Sequence, residues 1–188
     1  MTPSMKNICH VCMPCTFSPA TNPSTSESDC NAWQDLWVTA GFDGYSKQYF
    51  PPTTFTNPCS VKYSPTADAP TGGFVTCKLW GIEEIILPNP IPLAPFLSGT
   101  IPKSIVDINS LTNLNLSYSH NTGQNPLTGK IPQLPSGLTD LNLSYNYLTE
   151  VPPNLPNGIK VATGFCDLSN NGGIDFTCFQ SPSDNAKC

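Results

Sequence analysis

Leucine and isoleucine recur through the middle of the chain in one short pattern. One stretch runs Leu111-x-x-Leu114-x-Leu116 and then Leu127-Thr-Gly-x-Ile131-Pro132. The next runs Leu138-x-x-Leu141-x-Leu143-x-x-Asn146-x-Leu148-Thr-x-Val151-Pro152. An earlier copy runs Ile82-x-x-Ile85-x-Leu87, then Leu97-Ser-Gly-Thr-Ile101-Pro102. The alternating tail of each copy predicts a short strand with its apolar side chains on one side. A strand so short cannot bury its own leucines, so the copies must stack side by side as a parallel sheet over a shared core. Unit starts at 82, 111, 138 and 159 are separated by 29, 27 and 21 residues. The first two units are long because residues 88–95 and 117–124 are inserted between strand and turn. Asn146 falls where a buried amide can bond the backbone of the turn and of neighbouring units.

Ahead of the repeats the pattern changes. Residues 16–29 are a polar, proline-interrupted linker with nothing to bury. Asp29 reads as a helix N-cap. Behind it Ala32, Trp33, Leu36, Trp37 and Ala40 fall on one helical face, and Gly41 is a stop. Residues 42–71 are loop-rich, and residues 74–79 alternate as a short strand.

The Leu-Ser-Gly-Thr-Ile-Pro and Leu-Thr-Gly-Lys-Ile-Pro segments resemble the plant-type leucine-rich-repeat family, whose motif also occurs in fungal and other microbial relatives. Asp29-Cys30 through Ala40-Gly41, then Cys59 and Val75-x-Cys77, are similar to that family's N-terminal cap. The resemblance covers residues 29–178. It implies an α/β chain: a short right-handed solenoid with one parallel β-sheet, a helical N-terminal cap and a disulfide-bearing C-terminal cap. The expected division is a disordered tail and linker over 1–28, the cap over 29–81, repeats over 82–165 and the second cap over 166–188. Two features depart from the family. Ser60-Val-Lys-Tyr63 stands where a Trp is usual, and Leu148-Thr-Glu-Val-Pro lacks the turn glycine.

Charge narrows the function. The chain carries a formal charge of −5 and no arginine, and charged residues make up 11% of it, against about 25% in an average soluble domain. A nucleic-acid binder needs cations to replace phosphate counterions, so that class is set aside. No stretch reaches the roughly 20 apolar residues of a membrane span. The chain has nine cysteines, which argues for an oxidising compartment, secreted or at the cell surface. Residues 1–30 hold no apolar run of signal-peptide length. The expectation is therefore that the true N-terminus is missing, mispredicted or already cleaved. Cys59–Cys77 is the leading cap disulfide and Cys30–Cys59 its rival. At the far end Cys166–Cys178 competes with Cys178–Cys188. Cys9, Cys12 and Cys15 with His10 make only half of a zinc site, so no metal or other cofactor is expected.

The variable positions around the strands supply the candidate binding site. Stacking is expected to align Glu83 with Asn113 and Asp140, Ile86 with Asn115 and Asn142, and Pro88 with Ser117 and Ser144, edged by Tyr118 and Tyr145. Tyrosines beside a polar ladder suit a protein surface or a cell-wall polysaccharide, because each gives a large contact area at low entropic cost. Asn115-Leu-Ser117 and Asn142-Leu-Ser144 are also N-glycosylation sequons, and a glycan at either would cover this face. His10 and His120 are isolated, and Glu83 and Glu84 point to opposite faces of one strand, so no acid–base pair forms and no enzyme is expected. The resemblance implies a non-catalytic recognition module, as in polygalacturonase inhibitors and receptor ectodomains. The alternatives are a fragment of a receptor ectodomain and a structural or adhesive cell-wall protein.

Overall fold

A computed structural model describes residues 27–41, 58–60, 62–63, 73–78, 81–87, 97–117, 126–160 and 164–174 of the chain. Helix α1 spans Glu27–Thr39. It buries Ala32, Trp33, Leu36 and Trp37, the stripe expected from the spacing. The two indoles pack tilted, with centroids 5.5 Å apart. Gly41 adopts a φ of 76° and ends the helix as expected. The last helical carbonyls are satisfied from the repeats. Thr100 N–H donates to Thr39 O and Ser98 N–H to Ala40 O, both at 2.9 Å. Between them Gly99 sits so close that a Cβ there would lie 2.1 Å from Thr39 O. The glycine of Leu-Ser-Gly-Thr-Ile is therefore a docking point for the helix.

Asp29 has a different role from the expected cap. The helix already includes Glu27, so Asp29 lies within its first turn. Its buried carboxylate accepts the Ile82 N–H at 2.8 Å. Ser110 Oγ donates to Ile82 O at 3.0 Å, so both backbone groups of Ile82 are held by side chains.

Strands β1 (Lys62–Tyr63), β2 (Gly73–Lys78), β3 (Gly81–Ile86), β4 (Asn113–Asn115), β6 (Asp140–Asn142) and β8 (Phe165–Asp167) form one sheet in the order β1-β2-β3-β4-β6-β8. The first three pair antiparallel and the last four parallel. Strands β5 (Thr128–Lys130) and β7 (Tyr147–Glu150) make a second, parallel sheet. The architecture is α/β and rich in parallel strands, but the expectation of one parallel sheet is corrected. Strand β3 runs antiparallel to β2. The Thr-Gly-Lys turn segment, read from sequence as a bend, is extended enough to pair laterally. The third turn lacks the glycine and still pairs with β5, with a register break between Gly129 and Lys130.

Strands β4 and β6 bury their central residue and leave its two neighbours half-exposed; β8 buries its centre in the same way, with Phe165 exposed. Ile85, Leu114, Leu141 and Cys166 lie in register. A second buried row follows, because Leu87 N–H donates to Asn115 O, Leu116 N–H to Asn142 O and Leu143 N–H to Asp167 O. Burying each such side chain contributes roughly 1.5–3 kcal/mol. The fourth strand lies at Phe165–Asp167, after the start expected near Ile159. Ile159 is buried on helix α2 (Asn157–Lys160) instead. The expected boundary between 165 and 166 therefore falls inside a strand.

Two buried asparagines fasten the units. Asn146 Nδ2 donates to Leu116 O and Leu143 O at 3.1 and 3.0 Å, and its Oδ1 accepts the Leu127 N–H at 3.0 Å. Asn171 repeats this one unit on, with Leu143 O and Leu168 O both at 2.9 Å and the Leu148 N–H at 3.0 Å. Asn146→Ala removes an amide that satisfies groups in three separate segments. We expect it to lower stability in urea by about 3 kcal/mol, since each orphaned buried polar group costs roughly 1–3 kcal/mol. A loss below about 0.5 kcal/mol would show that the amide is dispensable.

Candidate ligand-recognition surface

The half-exposed strand positions form two rows. The first is Glu84, Asn113, Asp140 and Phe165, and the second is Ile86, Asn115, Asn142 and Asp167. Glu84, not Glu83, aligns with Asn113 and Asp140. Glu83 stands one residue before the row, where its carbonyl accepts the Thr112 N–H at 2.8 Å. Its carboxylate pairs with Lys78. The rows carry three carboxylates, three amides and two apolar side chains, with no cation among them. Thr139 Oγ1 lies 2.7 Å from Asp140 Oδ2 and 3.1 Å from Thr112 O, so its one proton is shared between that carboxylate and the backbone.

The second row has a local structural task. Asn115 Oδ1 accepts the Ser117 N–H at 3.1 Å and the Ser117 Oγ–H at 2.8 Å. Asn142 makes the same pair of bonds with Ser144, at 3.1 and 2.8 Å. Asp167 Oδ1 accepts the Ser169 N–H at 2.9 Å. The Asn/Asp-Leu-Ser triplet therefore closes each strand with a side-chain-to-backbone turn. Two of the three triplets spell a sequon, and the third keeps the turn with an aspartate. The turn needs only the oxygen, so Nδ2 is the atom a glycan would occupy.

Beyond the second and third of these turns the chain enters a left-handed residue, Tyr145 at φ 59° and Asn170 at φ 58°. Tyr145 N–H donates to Ser169 O at 2.9 Å, and the residue is 40% exposed. Tyr147, the first residue of β7, is 62% exposed. The strand pattern passed over it because it occupies the variable place between Asn146 and Leu148. A variable place between two buried ones is the signal that finds it. Phe165 is 46% exposed at the end of the first row. Tyr118 lies outside the described residues, as do His10, His120, Cys9, Cys12, Cys15, Cys178 and Cys188.

Cys59 and Cys77 form a disulfide with Cα atoms 5.6 Å apart, which excludes the Cys30–Cys59 alternative. Cys30 and Cys166 are also disulfide-bonded. Among the described residues no group of three His, Cys, Asp or Glu could hold a metal ion, and no helix is long and apolar enough to cross a membrane.

No family model matches the chain and no curated protein sequence matches it. Among solved structures, the leucine-rich-repeat ectodomain of the receptor kinase SOBIR1 from Arabidopsis thaliana is similar over 81% of this chain and 97% of that chain. The identity is 14% and the TM-score 0.34.

The turn geometry makes a specific prediction. Asn115→Asp and Asn142→Asp keep the acceptor oxygen, so each should retain the wild-type melting temperature within a few degrees. Asn142→Ala should cost about 1–3 kcal/mol, the net worth of two such bonds, by urea unfolding. Equal losses for Asp and Ala at position 142 would contradict the role of the oxygen.

Proposed function

We propose that this chain is an extracellular leucine-rich-repeat recognition module. In this reading it is a short right-handed solenoid closed by a helical cap and a disulfide-bearing C-terminal cap, and it binds a protein or polysaccharide without catalysis. The observation that carries the reading is the register itself. Parallel strands place Glu84, Asn113, Asp140 and Phe165 in one row over a packed leucine core. Preorganised hydrogen-bonding groups on a rigid sheet lose little conformational freedom on binding. Glu84, Asn113 and Asp140 present acceptors and an amide donor, suited to hydroxyl and backbone groups of a ligand.

Secretion is supported by the Cys59–Cys77 bond and by disulfides at Cys30 and Cys166, because such bonds persist in oxidising compartments. A non-catalytic role fits the carboxylates, since Glu83 is neutralised by Lys78 and Asp140 is engaged by Thr139. The face is small beside a standard interface of about 800 Å² per partner, so moderate affinity is expected.

Binding of the full chain to a glycan array and a secreted-protein array tests the reading. The Asn113→Arg, Asp140→Arg double variant should fold normally and lose most binding, at least about tenfold, or 1.4 kcal/mol. Unchanged binding by that variant would remove the sheet face as the site.

A further inference from the structure

We propose that Asn171–Gly172 is a self-modification site, at which deamidation of Asn171 irreversibly releases the last repeat unit. The inference goes beyond the recognition reading and does not depend on it. Asparagine followed by glycine is the pair most open to attack by the following backbone nitrogen on the side-chain amide, because glycine has no side chain to shield that nitrogen. The chain has two such pairs, Asn157–Gly158 and Asn171–Gly172. In the step, the Gly172 nitrogen gives up its proton and bonds to Asn171 Cγ. The Cγ–Nδ2 bond breaks, ammonia leaves with the proton, and a succinimide ring is closed. Water then opens the ring at either carbonyl and leaves aspartate or isoaspartate.

The preceding unit shows what differs at Asn171. Asn146 and Asn171 hold equivalent places and equivalent bonds. Asn146 is followed by Tyr147, whose N–H donates to Leu127 O at 2.8 Å beside the second sheet's ladder. The nitrogen that would attack Asn146 is thus held, and it carries a bulky residue. Asn171 is followed by Gly172, which is exposed and whose N–H makes no hydrogen bond among the described residues. A Cβ at Gly172 would meet nothing within 4 Å, whereas one at Gly173 would lie 2.8 Å from Thr149 Cγ2 and 2.9 Å from Leu148 O. Packing accounts for the second glycine and not for the first.

The bonds of Asn171 set both the rate and the consequence. Its Nδ2 donates to Leu143 O and Leu168 O, and its Oδ1 accepts the Leu148 N–H. Attack on Cγ requires the side chain to turn out of these bonds, so the reaction waits for a local opening of the unit. Strand β8 is the last in its sheet among the described residues, where such opening disturbs the fewest neighbours. After the reaction no amide donor is left for Leu143 O and Leu168 O. A carboxylate put back at this place, which is 2% exposed, sets acceptor against acceptor and buries a charge. Reclosure is therefore opposed. The unit set free carries Phe165 and Asp167, the last places of both outward rows. Asn115 and Asn142 differ in this respect, because their turns use only the oxygen that aspartate retains.

The test incubates the full chain in mildly alkaline buffer and follows each asparagine by peptide mapping and mass spectrometry over weeks. Asn157, exposed at the start of helix α2, is the internal reference, and the urea-unfolded chain gives the unprotected rate. Asn171 should convert to aspartate and isoaspartate in the folded chain, at least tenfold more slowly than in urea and at least tenfold faster than Asn146. Gly172→Ala should keep the melting temperature within a few degrees of wild type and slow the conversion at least tenfold. Asn171→Asp, which reproduces one product, should lower the melting temperature. It should also remove hydrogen-exchange protection from the Leu143 N–H, which Asp167 O accepts in the intact unit. Asn171 still intact once Asn157 has fully converted overturns the inference. So does conversion unslowed by Gly172→Ala, or an Asn171→Asp chain as stable as wild type.

Discussion

Strands β4, β6 and β8 are each only three residues long, and that length governs the rest. One strand of this size buries one side chain, and only if another strand lies on either side. Ile85, Leu114, Leu141 and Cys166 solve this together by standing in register. The flanking residues are then set facing away from the core. Among the described residues no further repeat precedes β3 or follows β8. At the first end, β2 and β1 continue the sheet antiparallel, and α1 lies against the Ser98–Thr100 turn.

Polar residues in this chain divide between two kinds of work. Asn146 and Asn171 are buried and bond backbone both of their own unit and of the preceding one. Their amides present a donor and an acceptor at once, which neither leucine nor aspartate can do. Asn115, Asn142 and Asp167 need only an acceptor, and there the chain uses both residue types. The distinction separates structural polarity from polarity left over for recognition. Asn113 and Asp140, half-exposed on the sheet, are the residues to which the proposed reading assigns recognition.

Much of the fold was legible because the core obeys a short-range rule. The leucine spacing located β4 and β6, the apolar stripe located α1, and Gly41 marked its end. What stayed hidden depended on distance along the chain. Asp29 reads as a cap from its neighbours, but its partner Ile82 is 53 residues away. The last strand was displaced in the reading because Cys166 fills a leucine position and because Ile159 imitates a unit start. The second sheet was missed because Thr-Gly-Lys has no alternation to announce a strand. Glu83 and Glu84 differ by one place, and only the register decides which of them joins the row. The sequons were visible at once, while the turn that uses the same atoms was not, because hydrogen bonding from Ser117 and Ser144 is invisible in the triplet. Tyr147 hid in a position the pattern treats as free.

The central claim is that consecutive units lie parallel and in register. Nuclear Overhauser contacts in the isotope-labelled protein measure this directly. The account predicts amide-to-α-proton contacts linking Asn113–Asn115 to Asp140–Asn142, and the latter to Phe165–Asp167, without the close α-to-α contacts of antiparallel pairs. Strong α-to-α contacts between these segments, or no contacts between them at all, would contradict it.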